Sequence, residues 1–371
     1  MTEVLIVGGG VVGLSIAYEL ARHKQRVQVI DRGELGREAS WAGAGILPPA
    51  NSATALHPYD QLRGLSMELH AEWAARLRTE TDIDNGHRRC GALYLARTAG
   101  ETAALRGMES IFREEQVAIT KLDRAQVAML EPALAAAADS GRFKAAYEVP
   151  EECQIRNPRH LQALAAACQR LGVEMLPNTA ATEFLIEGEQ LVGVQTSAGV
   201  LRAHQYCLTS GAWTQQMLTQ LSIPNSIFPI RGQMLLYHCA RQPFQRVLNE
   251  GNRYMVARDD GYVLVGATEE EVGFDKRTTE VALADLQAFA TAMVPELAQA
   301  TLVKSWAGLR PASFDGFPYL GRIPTLRNAF VAAGHFRSGL YLSPGTAIVM
   351  SELLLGQTPR IALEAFRVGR G

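Results

Sequence analysis

The chain has 371 residues and a formal net charge of -2, with 36 Lys and Arg against 38 Asp and Glu. That balance gives no reason to expect nucleic acid or an anionic membrane as partner, and no apolar run reaches the roughly eighteen residues needed to cross a bilayer. The length suits two domains. A content of 47% hydrophobic and 20% charged residues is ordinary for a soluble globular protein. The five cysteines (Cys90, Cys153, Cys168, Cys207, Cys239) are odd in number, far apart and without a CxxC pair, and the histidines form no HxH or HxxxH pair. Neither a disulfide framework nor a metal site is expected, and reduced thiols point to the cytoplasm. The apolar start at Val4 to Val7 runs into glycines and lacks a basic leader, so it does not read as a signal peptide.

In chain order, Glu3 to Gly8 reads as a buried strand, Val12 to His23 as a helix and Arg26 to Asp31 as a second buried strand. Gly33 to Pro49, rich in glycine and alanine, reads as a loop lying close to something. Helical spacing runs from Tyr59 to Thr81, a strand from Gly91 to Ala96, and broken helical stretches from Ala103 to Ala138, with Pro132 interrupting one. Asn157-Pro158 opens a helix, with Asn157 as candidate N-cap, that ends near Gly172. Short strands follow through Tyr206, turning at Glu187-Gly188 and Ala198-Gly199, and Gln205 to Thr209 is again apolar. Strands dominate Ile227 to Gly266, a helix covers Thr279 to Met293, Ala329 to Ala333 is a last strand and Gly339 to Leu355 a last helix. Parallel-type βα pieces thus occupy the start, the middle and the end of the chain, with antiparallel-looking strands between them. One chain passing repeatedly between two domains accounts for this.

Gly8, Gly10 and Gly13 form GxGxxG between strand and helix. The first glycine allows the tight turn, the second the approach of a pyrophosphate, and the third the packing of helix on strand. The helix start offers free N–H groups to that pyrophosphate, and Asp31 closes the second strand where a carboxylate can bond a ribose hydroxyl. An NAD enzyme usually continues in βα alternation. This chain instead enters the loop from Arg37 to Ile46 and carries a distant second cluster, Gly334-His-Phe-Arg-Ser-Gly339, running from a strand into the last helix. That helix start suits the flavin's pyrimidine end, where negative charge gathers on reduction. A flavin gripped at both ends fits both clusters, although an ordinary βα turn would also explain the second. FAD, bound noncovalently, is the cofactor expected.

With these residues in view the chain resembles the D-amino-acid oxidase family of FAD enzymes, and within it the glycine oxidase branch. The carriers are GGGVVG at Gly8 to Gly13, VIDR at Val29 to Arg32, WAGAGIL at Trp41 to Leu47, SGAW at Ser210 to Trp213, RGQ at Arg231 to Gln233 and VGAT at Val265 to Thr268. The most specific are WAGLRP with DGFPYLG, from Trp306 to Gly321, and AAGHFRSG, from Ala332 to Gly339. The resemblance implies an α/β fold, α+β overall, of glutathione-reductase-2 type. Its Rossmann-like FAD domain would be built from residues 1–85, 145–222 and 322–371. Residues 86–144 and 223–321 would form an antiparallel-sheet substrate domain roofing the flavin. Contacts to FAD carry over to Val11, Val12, Asp31, Arg32, Ala39, Ser40, Ala44, Gly45, Ile46, Ala181 and Gly211. They carry over equally to Arg310 and to the segment Gly334, His335, Phe336, Arg337, Ser338, Gly339, Leu340 and Tyr341. The resemblance also implies a small amino acid or amine and O2 as substrates, a role in assembling the thiazole of thiamine, and a homo-oligomer (dimer or tetramer).

The substrate carboxylate falls by resemblance to Arg310, helped by the Tyr254 hydroxyl, with Arg337 and Ile46 at the site. A guanidinium matches a planar carboxylate with a fixed fork of donors, and Arg310 is an odd presence in an apolar, glycine-flanked strand. A buried structural ion pair at Arg310, a half-buried core tyrosine at Tyr254 and an entrance-closing role for Arg337 are the alternative readings. If the amine arrives neutral, the Cα hydrogen can leave as hydride to flavin N5, giving an imine that water hydrolyses while O2 yields hydrogen peroxide. Glycine would give glyoxylate and ammonia. D-amino-acid or sarcosine oxidation, a quinone-linked dehydrogenase and a noncatalytic flavin protein are the other readings. Two departures bear on the substrate: Glu269-Glu270-Glu271 stands where related glycine oxidases place a methionine, and Asn252-Arg253 stands where a histidine is found near Tyr254. The acidic run reads as a solvated loop, or else Glu269 faces the site and binds the amine.

Overall fold

The first strand, Thr2–Val7, pairs in parallel with Val27–Ile30 on one side and Ala203–Leu208 on the other. These strands are covered on both faces, which is why they read as continuous apolar runs. Glu174–Leu176 extends the sheet beyond Val27–Ile30, while Ala329–Ala333 and the antiparallel Tyr319–Arg322 extend it beyond Ala203–Leu208, for six strands in all. The computed structural model describes residues 2–370.

Helices Val11–Arg22, Pro58–Thr81, Asn157–Arg170 and Gly339–Leu354 share one core over this sheet. Its largest fully buried side chain is Trp73, set edge-on against Tyr18 with ring centroids 5.2 Å apart. The helices and strands expected at 3–8, 12–23, 26–31, 59–81, 157–171, 205–209, 329–333 and 339–355 all lie within two residues of their places, because buried parallel strands and long amphipathic helices leave strong periodic signatures. Asn157 does not cap its helix: Arg156 precedes the first turn, no side chain caps it, and the Asn157 amide donates instead to the Ser40 carbonyl at 2.8 Å. The segment 33–49 is also more ordered than a loop, with a helical turn at Ala39–Ala42 and a short strand, Ile46–Leu47, paired with Cys153–Gln154.

The second sheet has eight strands in the order Thr301–Ala312, Phe228–His238, Tyr262–Gly266, Arg253–Ala257, Val247–Glu250, Ala92–Ala96, Ala145–Val149 and Thr120–Leu122. All neighbours are antiparallel except Val247–Glu250 against Ala92–Ala96. One face packs on helix Glu280–Met293 through Leu286, Phe289 and Met293. The other faces the parallel sheet. Sheet membership moves two of the expected crossing points. Ala145–Val149 belongs to the eight-stranded sheet, so the chain returns after residue 149 and not at 145. Tyr319–Arg322 belongs to the six-stranded one, so the last return precedes residue 319 and not 322. The first boundary is decided by pairing with Ala92–Ala96, remote in sequence, and the second by the antiparallel return of Ala329–Ala333.

At the turn after the first strand, space is the controlling quantity. A Cβ on Gly13 would overlap the Gly8 carbonyl oxygen and lie 2.6 Å from Thr209 Oγ1, which itself donates to Gly8 O at 2.7 Å. Gly13→Ala should push the helix off the strand and cost about 1–3 kcal/mol, as overpacking does. Thermal unfolding of this variant should show a clearly lower melting temperature than the parent protein.

Candidate active site

A cavity of about 710 Å³ lies between the carboxyl ends of the parallel strands and the inner face of the eight-stranded sheet. Ligands of open α/β sheets bind at this end of the strands. Gly8, Gly10, Val11 and Val12 form part of its wall. Gly8 has φ +119°, and a Cβ there would sit 2.6 Å from the backbone of Thr209. The Val11 N–H donates to Ser40 Oγ at 2.9 Å. Two of the residues expected to touch a cofactor do not line the cavity. Gly13 is consumed by helix packing, and Gly334, at φ +83°, turns the chain behind the wall.

At one end Asp31 accepts from the amides of Gly9 (2.8 Å) and Gly33 (2.9 Å). Burial raises its carboxyl above the usual range while those two amides pull it back down. Arg32 stacks on the Trp213 ring, its guanidinium carbon 3.6 Å from the centroid. Ala181 and Gly211 complete this end, with Thr179 beside them. The middle of the wall is the Ala39, Ser40, Ala44, Gly45 and Ile46 stretch. A Cβ on Gly45 (φ +73°) would overlap the Ile155 carbonyl oxygen, whose residue returns an N–H to Gly45 O at 2.8 Å. Asn157 lines the cavity here, a residue that reads from sequence as a cap.

From the C-terminal side the wall receives His335, Phe336, Arg337, Ser338, Gly339, Leu340 and Tyr341, at the start of the last helix. Burial drives the His335 imidazole down to about 3, so it stands neutral, with Nε2 3.1 Å from Thr346 Oγ1.

The roof is a single row across the large sheet. Cross-strand partners run from Trp306 to Met234, Gly266, Tyr254, Asn249 and Tyr94. Met234, Tyr254, Asn249 and Tyr94 line the cavity. Gly266 contributes room, since a Cβ there would lie 3.2 Å from the Tyr254 ring. Arg310 faces the cavity over Gly232, whose Cβ, if present, would lie 2.5 Å from the guanidinium carbon. Its Nη1 donates to the Thr268 carbonyl at 2.9 Å, and it makes no ion pair among the described residues. The structural ion pair weighed for Arg310 is therefore absent. Tyr254 is 9% exposed and its hydroxyl reaches only Met234 Sδ, at 3.4 Å.

The acidic run is not a free loop. Glu270 pairs with the buried Arg231 at 2.5 Å and accepts from Gln233 at 2.8 Å, tying the loop to the sheet. Glu269 is 3.1 Å from Arg337, which also reaches the Asn252 carbonyl at 3.5 Å. Arg337 is thus both a cavity-wall residue and one half of a surface pair, and Glu269 does not line the cavity.

Behind the roof, Tyr94 donates to Glu152 Oε2 at 2.6 Å. Glu152 is fully buried, and its Oε1, like Asn249 Nδ2 beside it, lacks a hydrogen-bond partner. This polar set escapes sequence reasoning because its members lie in separate strands and a turn, and only register brings them together. Trp213, Met234 and Asn157 were likewise missed as wall residues, although SGAW and RGQ flagged the neighbourhoods of the first two.

The chain belongs to the family described as FAD dependent oxidoreductase, whose pattern it matches over residues 3–353. It is 36% identical over 360 residues to a glycine oxidase of Pseudomonas putida, covering 97% of this chain and 96% of that one. It is 32% identical over 372 residues to a bifunctional protein ThiO/ThiG of Nostoc sp., covering 99% of this chain and 55% of the larger protein. The crystal structure of glycine oxidase from Geobacillus kaustophilus superposes with a TM-score of 0.93 at 30% identity, over 100% of this chain and 98% of that one. The protein is an FAD-dependent oxidoreductase with the mixed fold expected. The residues present fit that cofactor: Gly8, Gly10, Val11 and Val12 line the cavity, Gly10 brings no side chain to where a pyrophosphate would meet the helix start, and Asp31 keeps a carboxylate just past the second strand. Among the described residues all five cysteines are free, no group could hold a metal ion, and no helix is long and apolar enough to cross a membrane.

Burial pushes Glu152 up to about 7 from an ordinary 4.5, against the opposing pull of the Tyr94 hydroxyl. A carboxyl raised in the folded state binds more protons folded than unfolded between those values. Its ionisation therefore lowers stability as pH rises from about 4.5 to 7, with the full penalty above 7. Glu152→Gln should be more stable than the parent at pH 8, by about 3 kcal/mol at most. The difference should vanish near pH 4. Melting temperatures across that range check the sign and the window.

Proposed function

We propose that this enzyme oxidises glycine and other small amino acids, such as sarcosine and small D-amino acids, to imines, with O2 as electron acceptor. The observation that carries the reading is Arg310: a guanidinium without an ion pair among the described residues, in the wall of the cavity that Tyr254 also lines. An amino acid's carboxylate would complete it through two parallel charge-assisted hydrogen bonds. The relatives named glycine oxidase, similar over nearly their whole length, support the same substrate class.

FAD would be held by the Gly8 to Val12 turn, by Asp31 and Arg32, by Ala39 to Ile46 and by His335 to Tyr341. When bound it supplies the two-electron acceptor for the Cα hydride and, with O2, the route to hydrogen peroxide. The chain's own task is to orient the substrate and manage charge. Arg310 and Tyr254 fix the carboxylate. The Tyr94–Glu152 pair gives the same roof an acceptor for the ammonium proton, which must leave before the nitrogen can push out a hydride. Bulk at Met234, Tyr254 and Ile46 favours small side chains. Arg337, paired with Glu269, closes the entrance. Hydrolysis of the imine from glycine yields glyoxylate and ammonia. Intercepted before hydrolysis, the same imine would serve thiamine thiazole assembly, a role supported by the match to half of the ThiO/ThiG protein.

Arg310→Ala should lower kcat/KM for glycine by roughly 100-fold or more while FAD stays bound. Loss of the flavin along with activity would assign Arg310 a structural role instead. Anaerobic mixing of the parent enzyme with glycine, sarcosine, D-alanine and D-proline should bleach the flavin, and admitting O2 should restore it with stoichiometric peroxide. Bleaching without rapid reoxidation would indicate a dehydrogenase.

A further inference from the structure

A second recess, of about 210 Å³, shares no lining residue with the flavin cavity and is lined by Arg88, Arg156, Arg159, Arg258, His87 and Gln154, among others. Its charges do not balance locally. Arg156 is paired with Asp260. Of the two carboxylates in the lining, Asp84 lies 3.4 Å from Arg78 and accepts the Gly86 amide at 2.8 Å, and Asp259 is exposed. Arg88, Arg159 and Arg258 make no ion pair among the described residues; Arg88 donates only to the Ala257 carbonyl, at 3.0 Å.

Arg258 is the least expected of the three, because it is only 6% exposed. Its Nη1 donates to Gln154 Oε1, and its Nη2 to the carbonyls of Ala44 (2.7 Å) and Ile155 (3.0 Å). All three acceptors are neutral. Its Nε is buried with no partner, as is His87 Nε2. A buried cation served only by neutral acceptors is costly, and the nearby Arg156 and Arg88 add to the cost. The helix Asn157–Arg170 also starts at this recess without a side-chain cap, so its amides add partial positive charge. Excess positive charge, forked donors from separate elements and an orphaned buried N–H together describe an anion site.

We propose that this recess binds a tetrahedral oxyanion, as free phosphate or as the phosphate group of a small metabolite, on Arg88, Arg159 and the free edge of Arg258. Guanidinium forks match phosphate oxygens in pairs, whereas a chloride would satisfy one donor at a time. The site bears on the enzyme through Arg258, which holds the carbonyl of Ala44 in the wall of the flavin cavity. An anion that fixes Arg258 fixes that wall segment, so binding stabilises the folded, FAD-loaded protein. The inference stands whichever amine the enzyme oxidises.

The test uses FAD-loaded protein titrated with inorganic phosphate, ionic strength being held constant with chloride. Calorimetry should show saturable binding, and the melting temperature should rise with phosphate but not with chloride. Arg159→Gln and Arg88→Gln should each weaken binding roughly tenfold or more, and together abolish it, with flavin content unchanged. Arg310→Ala should leave phosphate binding intact, which separates this site from the substrate cavity. Glycerol phosphate in place of phosphate decides the source: equal or tighter binding assigns an ester, and its exclusion assigns the free anion. The proposal is overturned if phosphate gives no saturable signal beyond chloride. It is equally overturned if the signal survives in the Arg88, Arg159 double variant or disappears in Arg310→Ala.

Discussion

Everything in this molecule depends on how closely three stretches of backbone approach at the carboxyl ends of the parallel strands. The turn at Gly8, the first residues of the helix that follows and the end of the strand at Thr209 meet with only the Thr209 side chain between them. Thr209 Oγ1 seals the junction by donating to the Gly8 carbonyl. Any added bulk there would lift the helix, and the helix start is what presents amides to an anionic cofactor. The constraint is steric, and its consequence is electrostatic.

The rest of the wall solves a different problem. The Ala39 to Ile46 stretch forms only a helical turn and a two-residue strand, so its polar backbone cannot be satisfied by a sheet ladder. Side chains from elsewhere supply missing bonds, Asn157 to the Ser40 carbonyl and Arg258 to the Ala44 carbonyl, while the hydroxyl of Ser40 within the stretch accepts the Val11 amide. Three polar residues from three elements thereby convert a glycine-rich segment into a defined surface. On the opposite side the roof needs no such help, because strand register alone aligns Met234, Tyr254, Asn249 and Tyr94.

That contrast explains what could be read from the sequence. Local chemistry was legible: the glycine turn, Asp31, and Arg310 as a cation in an apolar strand all announce themselves within a few residues. So were the long helices and the buried parallel strands. Chemistry created by register was not. Tyr94, Glu152 and Asn249 carry no mark of belonging together until the sheet pairs them, and Asn157 before Pro158 looks like a cap because nothing local reveals the Ser40 carbonyl. Glu270 looked solvated within an acidic run for the same reason, its partners Arg231 and Gln233 being far back in the chain. The crossing point displaced at Ala145–Val149 has this origin too, its partner Ala92–Ala96 lying some fifty residues back.

The helix Gly339–Leu354 packs against Val11–Arg22, so the first and last helices complete a single core. During synthesis the opening βαβ unit therefore emerges long before the surface that covers it. Until Gly339–Leu354 is released, the core that Val11–Arg22 shares with it is incomplete, and the first sheet lacks Ala329–Ala333 beside Ala203–Leu208. Folding of this half is thus obliged to wait until Gly339–Leu354 has been made, and the unfinished chain must be protected for that interval by its own transient collapse or by chaperones.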